Sequence, residues 1–220
     1  MNSPFIQNDK SEKLSDHESC HPSLSVIKRE HATLKSMLYS ILKMIERGPL
    51  NEPELFFDTL RAMLFYIDEV PEKQHHPKET KFLFPLIAKR SKSCTVIIEK
   101  LNGEHLKIES TIRDLQHMLL GWEMLGDSRR SAFEIATFKY IDFYEKHMQL
   151  EESVIFPEAS RVLNESECKY IDNAFAMNSD LLSFSKNRDP KYDRLFTKIM
   201  LQSPAPIGWR HTLGAASEST

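Results

Sequence analysis

The sequence predicts an all-α protein: an antiparallel up-down four-helix bundle built from two repeated helical hairpins, with short C-terminal helices packed on it. Three observations carry that prediction. Apolar residues recur at spacings of three and four over long stretches. Gly is scarce, 6 in 220 residues, and most prolines stand between or at the edges of those stretches, a pattern that disfavours a strand-rich fold. The polar residues of the first half return in the second at a nearly constant offset.

Residues 1–22 are polar and charged and carry Pro4 and Pro22, so a poorly ordered arm is expected there, with His17 and His21 exposed in it. From Leu24 the pattern turns helical. Ile27, His31, Leu34, Leu38, Ile41, Leu42 and Ile45 share one face, and Gly48-Pro49 stops the helix. Asn51 and Pro53 open the second helix, which Leu55, Phe56, Leu60, Met63, Leu64 and Ile67 carry to about Asp68. Pro71 and Pro77 then interrupt the period. Each lacks a backbone donor, so a kink or bulge is expected before helix resumes through Ile87.

The third helix is expected from Ser93 to about Gly121, with Ile97, Leu101, His105, Ile108, Ile112, Leu115 and Leu119 inward. Gly126-Asp127-Ser128 breaks the chain. The fourth helix starts near Arg130 and runs past Pro157, with Phe133, Tyr140, Tyr144, His147, Glu151 and Ile155 on one face. Asn164-Glu-Ser-Glu167 reads as a capping box for a fifth, shorter helix. Pro190 can start a sixth, and the last residues, 214–220, read as disordered. The resulting division is an arm at 1–22, a bundle at 23–163, and a C-terminal extension and tail at 164–220.

The net charge of −3 gives no electrostatic case for nucleic acid or an anionic membrane as partner. No run of apolar residues is long enough to span a bilayer, and the N-terminus lacks a secretory pattern. Cys20, Cys94 and Cys168 are odd in number and show no paired spacing, which points to a reducing, cytoplasmic setting.

The repeat carries the chemistry. Glu30-His31 returns as Glu104-His105, and Tyr66-Ile67-Asp68 as Tyr140-Ile141-Asp142, both at an offset of 74. His75, Glu79 and Pro85 return as His147, Glu151 and Pro157 at an offset of 72. The first half therefore holds two extra residues, and they fall where Pro71 and Pro77 interrupt the helix. Each half reads as a hairpin with His on its first helix and His-x-x-x-Glu, one turn apart on one face, on its second. Duplication explains the repetition but not the inward placement of imidazoles and carboxylates, whose burial costs several kcal/mol unless they are paired or metal-bound. A single His-x-x-x-Glu is most often a surface pair. Four imidazoles and two carboxylates converging in one core suit a pair of transition-metal ions, with the carboxylates bridging and the imidazoles terminal. Iron, manganese and zinc all accept such donors.

These residues resemble the hemerythrin-like, or HHE, cation-binding domains. The resemblance rests on Glu30-His31, His75-His-Pro-Lys-Glu79 with Phe84-Pro85, Glu104-His105, and His147-Met-Gln-Leu-Glu151 with Phe156-Pro157, over residues 24 to 163. It implies a four-helix bundle around a non-haem di-iron centre, oxo- or hydroxo-bridged when oxidised. The ligands it implies are His31, His75, Glu79, His105, His147 and Glu151. His76 stands where some members place a glutamate ligand, and is either a ligand or a supporting histidine. Glu109 stands where the oxygen carriers of the family place a second histidine, and its role is open between ligation, a water-bridged contact and solvent. Tyr144 shares a face with His147, within reach of a hydrogen bond. Glu152 and His117 read as surface residues.

The leading functional expectation is a di-iron protein that reacts with oxygen or a related small oxidant, in sensing, iron handling or protection. Peroxide and nitric oxide are the other small partners considered, and the redox partner is not specified by the sequence. The alternative is a di-iron enzyme: a peroxidase, or a protein of nitric oxide handling or iron-sulfur repair. Repair members carry an N-terminal cysteine module, whereas this arm has only Cys20. A third reading, a metal-free histidine phosphotransfer bundle, needs one exposed histidine, and the inward, paired positions argue against it.

Overall fold

The structure, a computed structural model, describes residues 22–175 and 192–208. His17, Cys20, His21, Pro190 and the expected tail at 214–220 lie outside the described residues, as does all of the expected arm except Pro22. Among the described residues the fold is all-α, with no strand.

Helix α1 runs Pro22–Arg47. Gly48, at φ +70°, turns the chain and gives its N–H to the Met44 carbonyl at 2.9 Å. Helix α2, Pro53–Ile67, begins with proline at its first turn, where no donor is needed. It continues through a π-helical stretch, Asp68–His75, a short turn α3, His76–Lys78, and a second π-helical stretch, Glu79–Leu83, into α4, Phe84–Arg90. The expected bulge is thus a pair of widened turns. The first absorbs the two inserted residues around Pro71.

The third run is α5, Thr95–Leu125, entered through a 3₁₀ turn at Lys92–Cys94. It extends one turn beyond the expected Gly121, because the break comes at Gly126, at φ +87°. The fourth run follows a 3₁₀ turn at Asp127–Arg129. It comprises α6, Arg130–Leu150, a π-helical stretch, Glu151–Ile155, and α7, Phe156–Val162.

The π turns at Glu79 and Glu151 are repeat-equivalent. The Phe84 N–H reaches the Glu79 carbonyl and the Phe156 N–H reaches the Glu151 carbonyl, one residue further back than in an α-helix. Pro85 and Pro157 follow directly, and neither can donate to the residue four behind it. The Phe-Pro pair that closes each motif therefore stands where each turn widens.

Helix α1 packs on α2 and α6, α5 packs on α2 and α6, and α4 packs on α7. Two more helices lie outside these four runs. Helix α8, Glu165–Phe175, packs on α1. Its capping box is formed as expected: Asn164 Oδ1 accepts from the Glu167 N–H at 2.9 Å, and Glu167 Oε2 accepts from the Asn164 N–H at 3.1 Å. Helix α9, Asp193–Gln202, packs on α2 and is tied to it by Lys198 and Asp58. The chain beyond α9 docks on α1, where Ser40 gives its hydroxyl to the Pro204 carbonyl and accepts from the Ile207 N–H. Gly208 is required there, since a Cβ would fall 2.1 Å from the Ser203 carbonyl oxygen.

Apolar burial divides into two clusters. One gathers Leu34, Leu38, Ile41, Leu60, Met63, Ile108, Ile112, Leu115, Trp122 and Phe133. The other gathers Leu24, Ile27, Leu83, Phe84, Leu101, Ile155 and Phe156. His31 falls between Ile27 and Leu34 in sequence, and His105 between Leu101 and Ile108. The histidines thus form a polar layer between two apolar cores. Among the described residues, no helix is long and apolar enough to cross a membrane.

Candidate metal centre

The helix faces deliver His31 from α1, His75 from the first π stretch, His76 from α3, Glu79 from the second, His105 from α5, His147 from α6 and Glu151 from the third. All seven are buried. Their ligand atoms form three overlapping groups in which every atom lies within 4.8 Å of the others: His31, His75 and Glu79; His76, His105 and His147; and Glu79, His105 and Glu151. Each group could hold a metal ion. The six residues of the repeat therefore converge, with His76 among them.

Every imidazole is oriented by its Nδ1. His31 Nδ1 lies 2.9 Å from Glu152 Oε1, and His75 Nδ1 lies 2.6 Å from Glu30 Oε2. His147 Nδ1 lies 3.0 Å from Glu104 Oε2, and His76 Nδ1 lies 2.9 Å from Glu72 Oε2. An ionised carboxylate only accepts, so Nδ1 carries the proton in these pairs, in the Glu72 pair only while Glu72 is ionised. His105 Nδ1 lies 3.0 Å from the Thr80 hydroxyl, which donates to Asn102 Oδ1 at 2.9 Å and therefore accepts from the ring. Imidazoles held this way are fixed in tautomer and direction, with Nε2 left to act inward.

Inward, the two glutamates meet those nitrogens. Glu79 Oε1 lies 3.3 Å from His75 Nε2 and Oε2 lies 3.6 Å from His105 Nε2. Glu151 Oε2 lies 3.4 Å from His31 Nε2, and its Oε1 lies 3.3 Å from His147 Nε2 and 3.6 Å from His105 Nε2. Both oxygens of both glutamates, and His75 Nε2, are buried without a hydrogen-bond partner. Orphaned acceptors of this kind are costly in a native core and call for an ion or proton.

The charge balance points the same way. Burial alone would push His147 down, but Glu151 beside it and the Glu104 hydrogen bond lift it to about 10. Burial likewise opposes the charging of His75, and Glu79 and Glu30 still raise it well above the ordinary value. Without metal, protons on these rings supply the positive charge that the carboxylates require.

His76 differs. Burial and the neighbouring His105 and His75 hold it well below the ordinary value. Its ring stacks on His105 at 4.0 Å, and its Nε2 lies 3.1 Å from the Tyr144 hydroxyl. Tyr144 also reaches Glu72 Oε1 at 3.2 Å, and burial lifts Glu72 to about 8.

Glu109 does not join the cluster. Its carboxylate pairs with Arg113 at 2.5 Å and its side chain is 37% exposed. His117 is exposed on α5 and also lies outside the cluster. Glu152, expected at the surface, instead turns to His31 and Lys35, and the His31 hydrogen bond lowers it to about 2. Glu72 and Thr80 were not legible as supports. Glu30 and Glu104 stood in the repeat only as neighbours of His31 and His105, yet each holds the His of the other helix in its own hairpin. A cavity of about 20 Å³, room for one water, reaches His31 and His75 past Leu34, Tyr66, Val70 and Pro71.

Residues 23–159 fit the family model described as the hemerythrin HHE cation binding domain. No curated protein matches the chain.

Proposed function

The chain belongs to the hemerythrin HHE cation-binding family, and from that premise we propose that it holds two iron ions and reacts with oxygen or a related small oxidant. The bundle at 23–163 is the metal-binding unit in this reading, an up-down antiparallel arrangement of the four helical runs, with 164–220 as its extension. His31 and His75 would hold one ion, and His105 and His147 would hold the other. Glu79 and Glu151, each facing both halves of the repeat, would serve both ions. The observation that carries the proposal is the division of each carboxylate between the halves of the repeat. Glu79 gives one oxygen to His75 and the other to His105, and Glu151 does the same for His31 and His147. Buried, unpartnered oxygens shared in this way are the donor set of a dinuclear site.

Bound iron would supply one-electron redox chemistry and an acceptor for a small diatomic ligand or peroxide. The chain does the rest. Glu30, Glu104, Glu152 and Thr80 fix the imidazoles through Nδ1. The two apolar cores keep bulk water from the layer. The cavity beside Leu34 and Tyr66, which reaches His31 and His75, has room for a water-sized molecule. Glu109, which stands where the oxygen carriers have a histidine, pairs with Arg113 instead. That supports redox reaction in sensing, iron handling or protection over reversible oxygen storage. The inward, paired histidines argue against phosphotransfer. A reducing, cytoplasmic setting, with Cys94 and Cys168 buried in the core, belongs to this reading. Neither nucleic acid nor membrane enters as partner.

The test is to mix anaerobic diferrous protein with oxygen and then remove the oxygen. The expected result is lasting conversion to the diferric absorption. Quantitative return to the ferrous state over repeated cycles would restore the carrier reading. A catalytic rate of peroxide or nitric oxide consumption would favour the enzyme alternative.

A further inference from the structure

Tyr144 is fully buried, and its ring lies 5.6 Å from His76 and 6.0 Å from His147, centroid to centroid. Its hydroxyl lies between His76 Nε2 at 3.1 Å and Glu72 Oε1 at 3.2 Å, and its one proton can be given to either. The two acceptors are themselves joined, through His76 Nδ1 and Glu72 Oε2 at 2.9 Å. Neither Glu72 nor this three-residue chain is needed to hold the six ligands proposed above. Burying a carboxylate and a phenol beside the centre is costly, and the imidazole between them has its inward nitrogen turned to the phenol.

We propose that Tyr144 is a redox-active tyrosine, which gives one electron to the metal centre and its phenolic proton to His76. The inference rests on the di-iron reading. An oxidised phenol that keeps its proton is a cation, and a cation in a low-dielectric core is prohibitive unless the proton leaves with the electron. Tyr144 has an acceptor within hydrogen-bond reach. Tyr140, whose ring lies 5.6 Å away, is equally buried but its hydroxyl has no partner, so the same oxidation there would strand the charge. The contrast assigns the role to Tyr144.

The electron count gives this role a place. Reducing one oxygen molecule to two waters takes four electrons and four protons. A ferrous pair holds two electrons and by itself stops at peroxide. Tyr144 supplies the third electron and remains as a neutral tyrosyl radical; its proton passes to His76 Nε2 while the His76 Nδ1 proton passes to the Glu72 carboxylate, so no buried cation is left. A ferrous ion in solution supplies the fourth electron, and solvent supplies all four protons that reach oxygen.

The experiment uses the full chain, loaded with iron and reduced anaerobically, then mixed with oxygen and one further equivalent of ferrous ion and freeze-quenched. Paramagnetic resonance should show an organic radical. Its splitting should collapse when the protein is grown on ring-deuterated tyrosine, a result that depends on no mutant. The signal should be lost in Tyr144→Phe and kept in Tyr140→Phe and Tyr66→Phe, with iron content measured for each. Wild-type protein that holds two irons but gives no radical overturns the inference, as does a radical that persists in Tyr144→Phe or disappears only in Tyr66→Phe. Protein that takes up no iron pair contradicts the di-iron reading itself, and the inference falls with it.

Discussion

Thr80 and Glu152 occupy the same place in the two halves of the chain, 72 residues apart, and support histidines that also correspond. Glu152 presents a carboxylate to His31 Nδ1 at 2.9 Å, and Thr80 presents a hydroxyl to His105 Nδ1 at 3.0 Å. The approximate two-fold symmetry of the inward residues is therefore broken one layer out.

That difference predicts unequal sensitivity. A charge-assisted hydrogen bond is about twice as strong as a neutral one. Loss of such a support typically costs about 10- to 100-fold in metal affinity. Glu152→Ala should fall in that range, and Thr80→Ala should cost less. Chelator competition with zinc measures both, and the reverse order would show that the outer carboxylate is not what sets the donor strength of His31.

The inner carboxylates should behave alike. Each of Glu79 and Glu151 serves both halves of the layer, so Glu79→Ala and Glu151→Ala should each lose most of the bound metal. His117→Ala, on an exposed face, should retain it. Metal analysis after desalting decides this. Full metal content in either glutamate variant would mean that the carboxylates do not share the bridging role.

Metal-free protein should remain helical, because the two apolar cores do not depend on the ions, but it should melt lower than the loaded form. Its stability should also fall with rising pH. His147 is lifted from 6.5 to about 10, so its contribution is complete below 6.5 and is lost as pH climbs towards 10. Glu72 is lifted by burial from 4.5 to about 8, so it too favours the protonated fold and loses that contribution between 4.5 and 8. Thermal melts of the metal-free protein should give a lower midpoint at about pH 9 than at about pH 6. Loaded protein should not follow, since metal replaces those protons. A metal-free midpoint that is level or rises over this range would contradict the charge balance drawn for the layer.

Much of this arrangement was legible in the sequence, because helical period and repetition are both local signals. The four helical runs, the break at Gly48 and the capping box at Asn164 follow from spacing and turn chemistry. The six inward residues follow from their recurrence on apolar faces. The supports were harder to see, for reasons of geometry. Glu152 follows Glu151 directly, and an α-helical period separates the two by about 100°, which reads as one inward and one outward. The chain there is π-helical, and Glu152 reaches across to α1. Glu72 lies in the stretch that carries the insertion, where neither offset of the repeat gives it a counterpart glutamate. Thr80 had a counterpart in Glu152, but a threonine matched to a glutamate signals nothing until both are seen against a histidine ring. Glu109 could not be assigned from its place one turn after His105, since the face that it shares is also within reach of Arg113.

The most direct test of the dinuclear site is metal stoichiometry. Purified chain, stripped of metal and reloaded with iron under anaerobic conditions, should hold two iron atoms per chain after desalting, and should develop the absorption of a bridged ferric pair on exposure to air. One iron per chain, or none, in protein that is folded by circular dichroism would contradict the bridging of the two halves by Glu79 and Glu151.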